Sequence, residues 1–403
     1  MKINSTLNES YLLTSESVTE GHPDKLCDRI ADSILDELIS QDPESKVAVE
    51  VAISNQLVVL LGEVTSKAEV EFEEIAKKVL YEIGYKDKET GFDLNSCQII
   101  SNINPQSTDI GTGVYNALES RNKIQDIDEF DQQGAGDQGI VFGFACNETN
   151  EYMPMPIYLA HKLTKRLAQT RHENEGGFLL PDGKAQVTVE YKNNIPFAIN
   201  NIIVSSQHKE QVSTEQLKDY ITEQVIQKSM PEILLNNSSS MLIHINPSGR
   251  FVIGGPLGDA GLTGRKIVVD TYGGNAKHGG GAFSGKDPSK VDRTGAYMSR
   301  YIAKNLVAAE IADKIEIQIA YGIGIANPIA INFDCFGTNK VELNLIHEII
   351  NKIFDCRPGA IIKQFNLKRP IYSQLSSYGH FGRNDLKLPW EKIDKVDEIK
   401  KIL

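Results

Sequence analysis

Residues 47–53 and 57–64 are apolar, β-rich runs separated by Ser54, Asn55 and Gln56, and apolar residues then recur at helical spacing through Val70, Ile75, Val79 and Ile83. That is the pattern of a hairpin followed by an amphipathic helix. It returns with strand-like runs at 186–191 and 199–205 ahead of a helical segment near 214–228. It returns again with runs at 266–271 and 315–321 around a helical segment near 294–311, and a further helix near 341–354. An extra strand fits 96–103. Hairpins mixed with helices predict an α+β chain of three comparable α/β blocks, with antiparallel or mixed sheets covered by helices on one face. Polar, glycine-containing stretches at 112–136 and 246–261 are the candidate boundaries.

The first helix starts at Pro23 and Asp24 and runs to about Ile39, with Leu26, Ile30, Ile34 and Leu38 at i, i+4 spacing. Ahead of it lies TSESVTEGHPDK at 14–25. A helix N-terminus offers free N–H groups to an anion, and His22 and Lys25 add donors. Asp24 opposes an anion unless a divalent cation lies between them, which makes it a candidate Mg ligand. The plainer alternative is a dipole-complementing Asp24 beside an exposed His22. Glu50 and Glu63 interrupt apolar strands and are expected to face solvent, Phe251 to be core, and His161 and His347 to be structural residues of helices.

Eleven of the 32 glycines fall between Gly254 and Gly285, beside Arg265, Lys266, Lys277, Lys286 and Lys290. Glycine serves where φ is positive or where a ligand approaches the main chain, as when N–H groups cradle phosphate. Tight turns carrying solvated lysines rarely need so many glycines beside so many cations, so the stretch predicts phosphate binding. It is not a Walker A loop: Asp287 stands where the Mg-binding hydroxyl belongs and Pro288 where a helix must run. Gly134, Gly136 and Gly139 match a dinucleotide fingerprint, but a polar run precedes them and a strand-like run follows, the reverse of the required context.

Composition narrows the partners. With 403 residues, 40% hydrophobic and 24% charged, the chain is long enough for two or three cores and too apolar for disorder. A net charge of -12 with no basic stripe argues against nucleic acid. No apolar run would span a bilayer and the first ten residues are polar, so no membrane partner and a cytoplasmic location are expected. Cys27, Cys97, Cys146, Cys335 and Cys356 form no C-x-x-C pair and are expected to be reduced thiols.

Taken together, GHPDK at 21–25, GAGDQG at 134–139 and GGGAFSGKDPSK at 279–290 resemble the signature segments of S-adenosylmethionine synthetases. RFVIGGPLGD at 250–259, TGRKIVVDTYGG at 263–274 and YGHFGR at 378–383 extend the likeness from about Tyr11 to the end of the chain. The resemblance implies three intertwined, similarly built two-layer domains in a pseudo-threefold arrangement, at 10–110, 124–252 and 253–393. It implies a homodimer or a dimer of dimers with active sites at the subunit interface.

The same resemblance implies an enzyme that makes S-adenosylmethionine from ATP and L-methionine and hydrolyses the bound triphosphate, using two Mg2+ and one K+ per subunit. Carried onto this chain, His22, Lys184, Arg265, Lys266 and Lys286 would contact the phosphates, with Asp182, Gly183 and Ala282 as further nucleotide contacts. Arg250 and Phe251 would meet adenine, while Asp24 and Asp292 would hold Mg2+ and Glu50 would hold K+. Glu63, Gln106, Asp137 and Lys290 would face methionine, and Asp259 both substrates. A lid would comprise Gln106, Ser107, Thr108, Asp109, Ile110, Gly111, Thr112 and Gly113. It departs from the usual Q-S-P-D-I-x-Q-G at Thr108 and Thr112, which puts its stiffness and closing rate in question. The segments 115–133 and 170–180 fit the family pattern poorly.

Two rivals stay open on sequence alone. A P-loop-like kinase or NTPase would yield ADP, and a non-catalytic nucleotide-binding paralogue would lack a cation or an acid at a matched position.

Overall fold

A computed structural model describes residues 10–105, 117–121, 128–173, 177–238 and 241–403. Numbering only helices of two turns or more, the elements are β1 (Ser10–Val18), α1 (Pro23–Gln41), β2 (Lys46–Ser54), β3 (Leu57–Thr65), α2 (Phe72–Ile83), β4 (Gln98–Asn104) and β5 (Gly139–Cys146). They continue with α3 (Met155–Glu173), β6 (Leu179–Lys192), β7 (Ile195–His208), α4 (Thr214–Ile221), β8 (Leu242–Ile245) and β9 (Gly261–Leu262). The last are α5 (Val291–Ala308), β10 (Lys314–Tyr321), β11 (Ala330–Asp334), α6 (Leu343–Ile353) and α7 (Pro358–Phe365).

Three open sheets result, in the orders β4-β3-β2-β9, β1-β6-β7-β8 and β11-β10-β5. The β3/β4 and β7/β8 pairs are parallel and the rest antiparallel, so two sheets are mixed and the third is antiparallel, within the α+β class the sequence predicts. Sheet membership ignores chain order: β1 pairs with β6 along its whole length, β5 pairs with β10, and β9 comes back to β2.

One face of each sheet is covered by helices. In β2 the side chains alternate, with Val47, Val49, Val51 and Ile53 buried under α1 and Glu50 exposed on the other face. α3 packs on β1 and β6, and α5 on β5 and β10. At roughly 1.5–3 kcal/mol for each fully buried aliphatic side chain, these covered faces are the main source of stability. α5 is buried nearly all round, and its cations are neutralised internally: Arg293 by Asp32, and Arg300 and Lys304 by Glu391.

Several expectations change. The run at 266–271 is not a strand: Ile267–Asp270 forms one helical turn in which Lys266 O accepts from Asp270 N. The buried Asp270 carboxylate meets Lys25, and that tertiary contact overrides the β preference of the Ile-Val-Val run. The helix expected near 214–228 is α4, followed by a wider π turn at Thr222–Ile226. β1, α3, β11 and α7 are additional elements. The segment 170–180 holds the end of α3 and the start of β6. Cys27, Cys146, Cys335 and Cys356 are buried, Cys97 is half-buried, and all are free thiols.

Candidate active site

The helix α1 begins where three groups need a partner at once. His22 caps it, its Nδ1 accepting from Asp24 N at 3.2 Å, so the neutral ring carries its proton on Nε2. His22 is buried, not the exposed turn residue of the plainer alternative. Burial, then the Lys266 and Lys184 ammonium groups, push its imidazole down to about 3, so the ring is neutral at neutral pH. Burial alone would raise the Asp24 carboxyl, but the Lys266 ammonium and the Leu262 N–H, at 3.0 Å, outweigh it and hold it below the usual range. Asp182 accepts from Gly255 N at 2.9 Å, and burial pushes its carboxyl up to about 6 against the pull of that N–H and of Lys184. Asp259 acts on Asp182 through its charge, and its own N–H is held by Gly255 O. His22, Asp24, Asp182, Gly183, Lys184, Asp259 and Lys266 therefore form one cluster.

A second cluster forms around the glycine-rich stretch. Lys286 Nζ lies 2.6 Å from Asp292 Oδ2, both only partly exposed. Gly281 is required beside them, because a Cβ there would fall 2.2 Å from the Asp292 carboxyl carbon. Gly285, with φ +79, would drive a Cβ into Val49 O at 1.9 Å; its carbonyl accepts from Val49 N, which fixes Lys286 against β2. Ala48 is paired on one side with Glu63 and bridged on the other to Lys286. Gly136 N donates to Ser289 O at 3.2 Å, which brings Asp137 beside Lys290. Glu63, Asp137, Lys286, Lys290 and Asp292 thus share one neighbourhood.

Both clusters lie along one edge of β2, where 261–263 pairs near Val51–Ile53 and 285–287 near Val47–Val49. Ala282 sits between them against Gly264, next to the exposed Arg265. Among the described residues no hydrogen bond or ion pair joins one cluster to the other. Arg250 stands apart, its largely exposed guanidinium paired with Glu210, and the adjoining Phe251 rests its ring edge toward Gly254. Gln106 and the rest of the expected lid, Ser107 to Gly113, lie outside the described residues.

The sheet faces turned away from the helices carry three of the expected site residues, Lys184, Glu50 and Glu63. Lys184 shares its face with the exposed Leu12, and Glu50 and Glu63 share theirs with Leu61 and Ile100. Ile140 of β5 is exposed as well. No other part of the described chain covers these side chains, each more than a third exposed.

Two residues expected to serve an anion do something else. Lys25 is fully buried with its ammonium between Asp28 and Asp270, and Lys277 pairs with Glu316. The sequence reading passed over Asp28, Asp32 and Asp36. With Asp24 they form an i, i+4 row on α1, and they take Leu262 N, Gly264 N, Gly285 N and Tyr372 N in turn. Four aspartates at that spacing beside an equally regular apolar row are visible in the sequence. The first three position the glycine-rich stretch, and Asp36 holds the main chain at Tyr372 and Ser373.

The donor set suits Mg2+ in a particular way. Among the described residues no group of three or more His, Cys, Asp or Glu side chains converges as a metal cage. Asp24 and Asp292 each offer one carboxylate beside a lysine, the pattern of a hard cation held mainly by substrate phosphates and water. No helix of the described residues is long and apolar enough to cross a membrane.

Comparison with known proteins agrees with this geometry. Residues 10–108, 132–251 and 253–392 match, respectively, the N-terminal, central and C-terminal domains of S-adenosylmethionine synthetase. The chain is 53% identical over 392 residues to the S-adenosylmethionine synthase of Clostridium tetani, covering 97% of this chain and 99% of that one. The S-adenosylmethionine synthase of Clostridium botulinum matches to the same extent, 53% over 392 residues with 97% and 99% covered. With all three domains matched in order and a full-length relative at 53% identity, the chain belongs to the S-adenosylmethionine synthetase family.

Proposed function

We propose that this chain is a methionine adenosyltransferase that joins the sulfur of L-methionine to C5′ of ATP, releases the triphosphate and hydrolyses it to pyrophosphate and phosphate. The observation that carries the reading is a pair of clusters along one edge of β2, in each of which a lysine meets an aspartate, Lys266 with Asp24 and Lys286 with Asp292, in a chain of this family. Nothing favours a kinase or a paralogue that has lost its catalytic groups.

A thioether is neutral and attacks without a base, so catalysis rests on positioning and on the charge that gathers on the departing oxygen. His22, neutral and protonated on Nε2, is suited to donate a hydrogen bond to that oxygen. Lys184, Arg265, Lys266 and Lys286 would surround the triphosphate. Each cation at about 4 Å contributes roughly 4 kcal/mol of gross attraction at an effective dielectric of 20, before desolvation. Asp24 and Asp292 would hold Mg2+, which when bound neutralises phosphate charge, and Glu50 would contribute to a K+ site. Glu63, Gln106, Asp137 and Lys290 would bind methionine, Asp259 both substrates, Arg250 and Phe251 adenine, and Asp182, Gly183 and Ala282 the rest of the nucleotide.

The clusters would complete one another across two copies of the chain. Exposed Leu12, Leu61, Ile100 and Ile140 beside the site residues support a homodimer, or a dimer of dimers, closed over these faces. A division into domains at 10–110, 124–252 and 253–393 and a cytoplasmic setting belong to the same proposal.

The deciding assay incubates the purified protein with ATP, methionine, Mg2+ and K+. S-adenosylmethionine with phosphate and pyrophosphate is expected; ADP, or nucleotide binding without turnover, would overturn the proposal.

A further inference from the structure

One sizeable cavity lies away from the site just described. It holds about 330 Å³ between α3, the Lys228–Ser229 corner and the 378–385 segment, on the helical side of the sheet containing β1 and β6. A space of that volume takes a ligand of small-metabolite size.

Its lining is unlike the rest of the chain. Lys162, Lys165, Arg166, Lys228 and Arg383 face Glu151 and Asp385, an excess of three positive charges in a molecule of net charge -12. Lys165 and Arg383 share Asp385, and Arg166 pairs with Glu173. Among the described residues Lys162 and Lys228 make no ion pair, although the Lys228 charge acts on Glu173: Lys162 lies 5.4 Å from the centroid of the Tyr158 ring, and Lys228 donates to the neutral Gln224 amide.

A buried hydroxyl of the same lining lacks a partner: among the described residues Ser229 Oγ, in a residue 3% exposed, makes no hydrogen bond. Leaving it unmet costs about 1–3 kcal/mol, which a bound ligand would recover. His161 and Tyr378 also line the cavity, the imidazole interacting with the Val269 main chain and the phenol with that of Glu20. Tyr158 and Phe381 supply flat apolar walls.

We propose that this cavity binds a small organic anion, a flat apolar body carrying a phosphate, sulfonate or carboxylate, whose charge meets Lys162 and Lys228 and one of whose polar atoms meets Ser229. The site is separate from the adenosyl-transfer clusters and does not depend on the activity proposed for them. The His161 ring that borders it is hydrogen-bonded through Nδ1 to Ser17 of β1 at 2.8 Å.

The probe is 8-anilinonaphthalene-1-sulfonate, titrated into the full-length protein and followed by its fluorescence, with displacement by phenyl phosphate. Saturable binding at one probe per chain is expected. The Lys162→Glu, Lys228→Glu double variant should weaken it at least about tenfold, and Lys286→Ala should leave it unchanged. Ser229→Ala, which keeps both charges, should weaken displacement by phenyl phosphate. Both cavity variants should unfold at or above the wild-type thermal midpoint and keep wild-type S-adenosylmethionine formation. Binding that is not saturable, that survives the double charge reversal, or that disappears in Lys286→Ala would overturn the proposal.

Discussion

At the scale of single residues the molecule is governed by buried charges that have been given partners. Arg293 and Asp32 are both fully buried and meet through two short contacts, Nη1 to Oδ1 at 2.8 Å and Nη2 to Oδ2 at 2.7 Å. Removing one member strands the other, so Arg293→Met is expected to lose about 3–5 kcal/mol in urea denaturation; an unchanged midpoint would refute this account. His161 is the opposite case, a titratable group kept neutral. Burial first, then Arg383 and Lys25, lower its folded pKa to about 3, whereas in the unfolded chain it ionises near 6.5. The unfolded state therefore takes up the proton first, and the stability tied to the neutral ring is complete above about pH 6.5 and declines as pH falls toward 3. Between pH 7 and pH 5 a His161→Asn variant should lose ~2 kcal/mol less than the parent. Equal losses in the two proteins would show that His161 is not responsible.

At the scale of elements, α1 explains why the glycine-rich stretch can hold its shape. Its aspartate row captures main-chain N–H groups at 262, 264, 285 and 372, which fixes loops distant in sequence to one rigid rod. Asp36→Ala, which frees Tyr372 N and Ser373 N, should cost about 1–3 kcal/mol in stability with little change in KM for either substrate. Gly281→Ala should do the reverse. Its new methyl displaces Asp292, so kcat is expected to fall by roughly a hundredfold while the thermal midpoint barely moves; a normal kcat would mean that the Asp292 position is not critical. Much of this was legible beforehand. The β2/β3 hairpin, α2, β5 and α5 follow from local periodicity, and glycine density marked the stretch that holds Lys286 and Lys290. What periodicity could not supply was β1, a polar strand whose partner lies some 170 residues on, or the helical turn at 267–270, set by a buried lysine. Nor could residue type alone tell Lys25, used up in an internal ion pair, from Lys266, which faces His22 and Asp24.

At the scale of the whole molecule, the proposed closure of two copies over the open sheet faces makes a prediction of its own. If each site takes the His22 cluster from one copy and the Lys286 cluster from its partner, Lys266→Ala and Lys286→Ala homodimers are both inactive. Mixing them under conditions of subunit exchange should then recover roughly a quarter of wild-type activity, because half the dimers are mixed and each of those has one intact site. No recovery on verified exchange would place both clusters in a single-chain site. The exchanged strands carry a further consequence. Residues 253–392 match a domain on their own, yet their sheet takes its β5 edge from residue 139 onward, and the first sheet takes β9 from the last third of the chain. Expressed alone, 253–392 should be unfolded or aggregated by circular dichroism and size-exclusion chromatography, because it leaves a two-stranded remnant and a bare face of α5. The three segments can be recognised separately but not cut apart: a truncation or fusion drawn at a domain border would sever a sheet, and the gene can be lengthened at its loops more safely than divided at its seams.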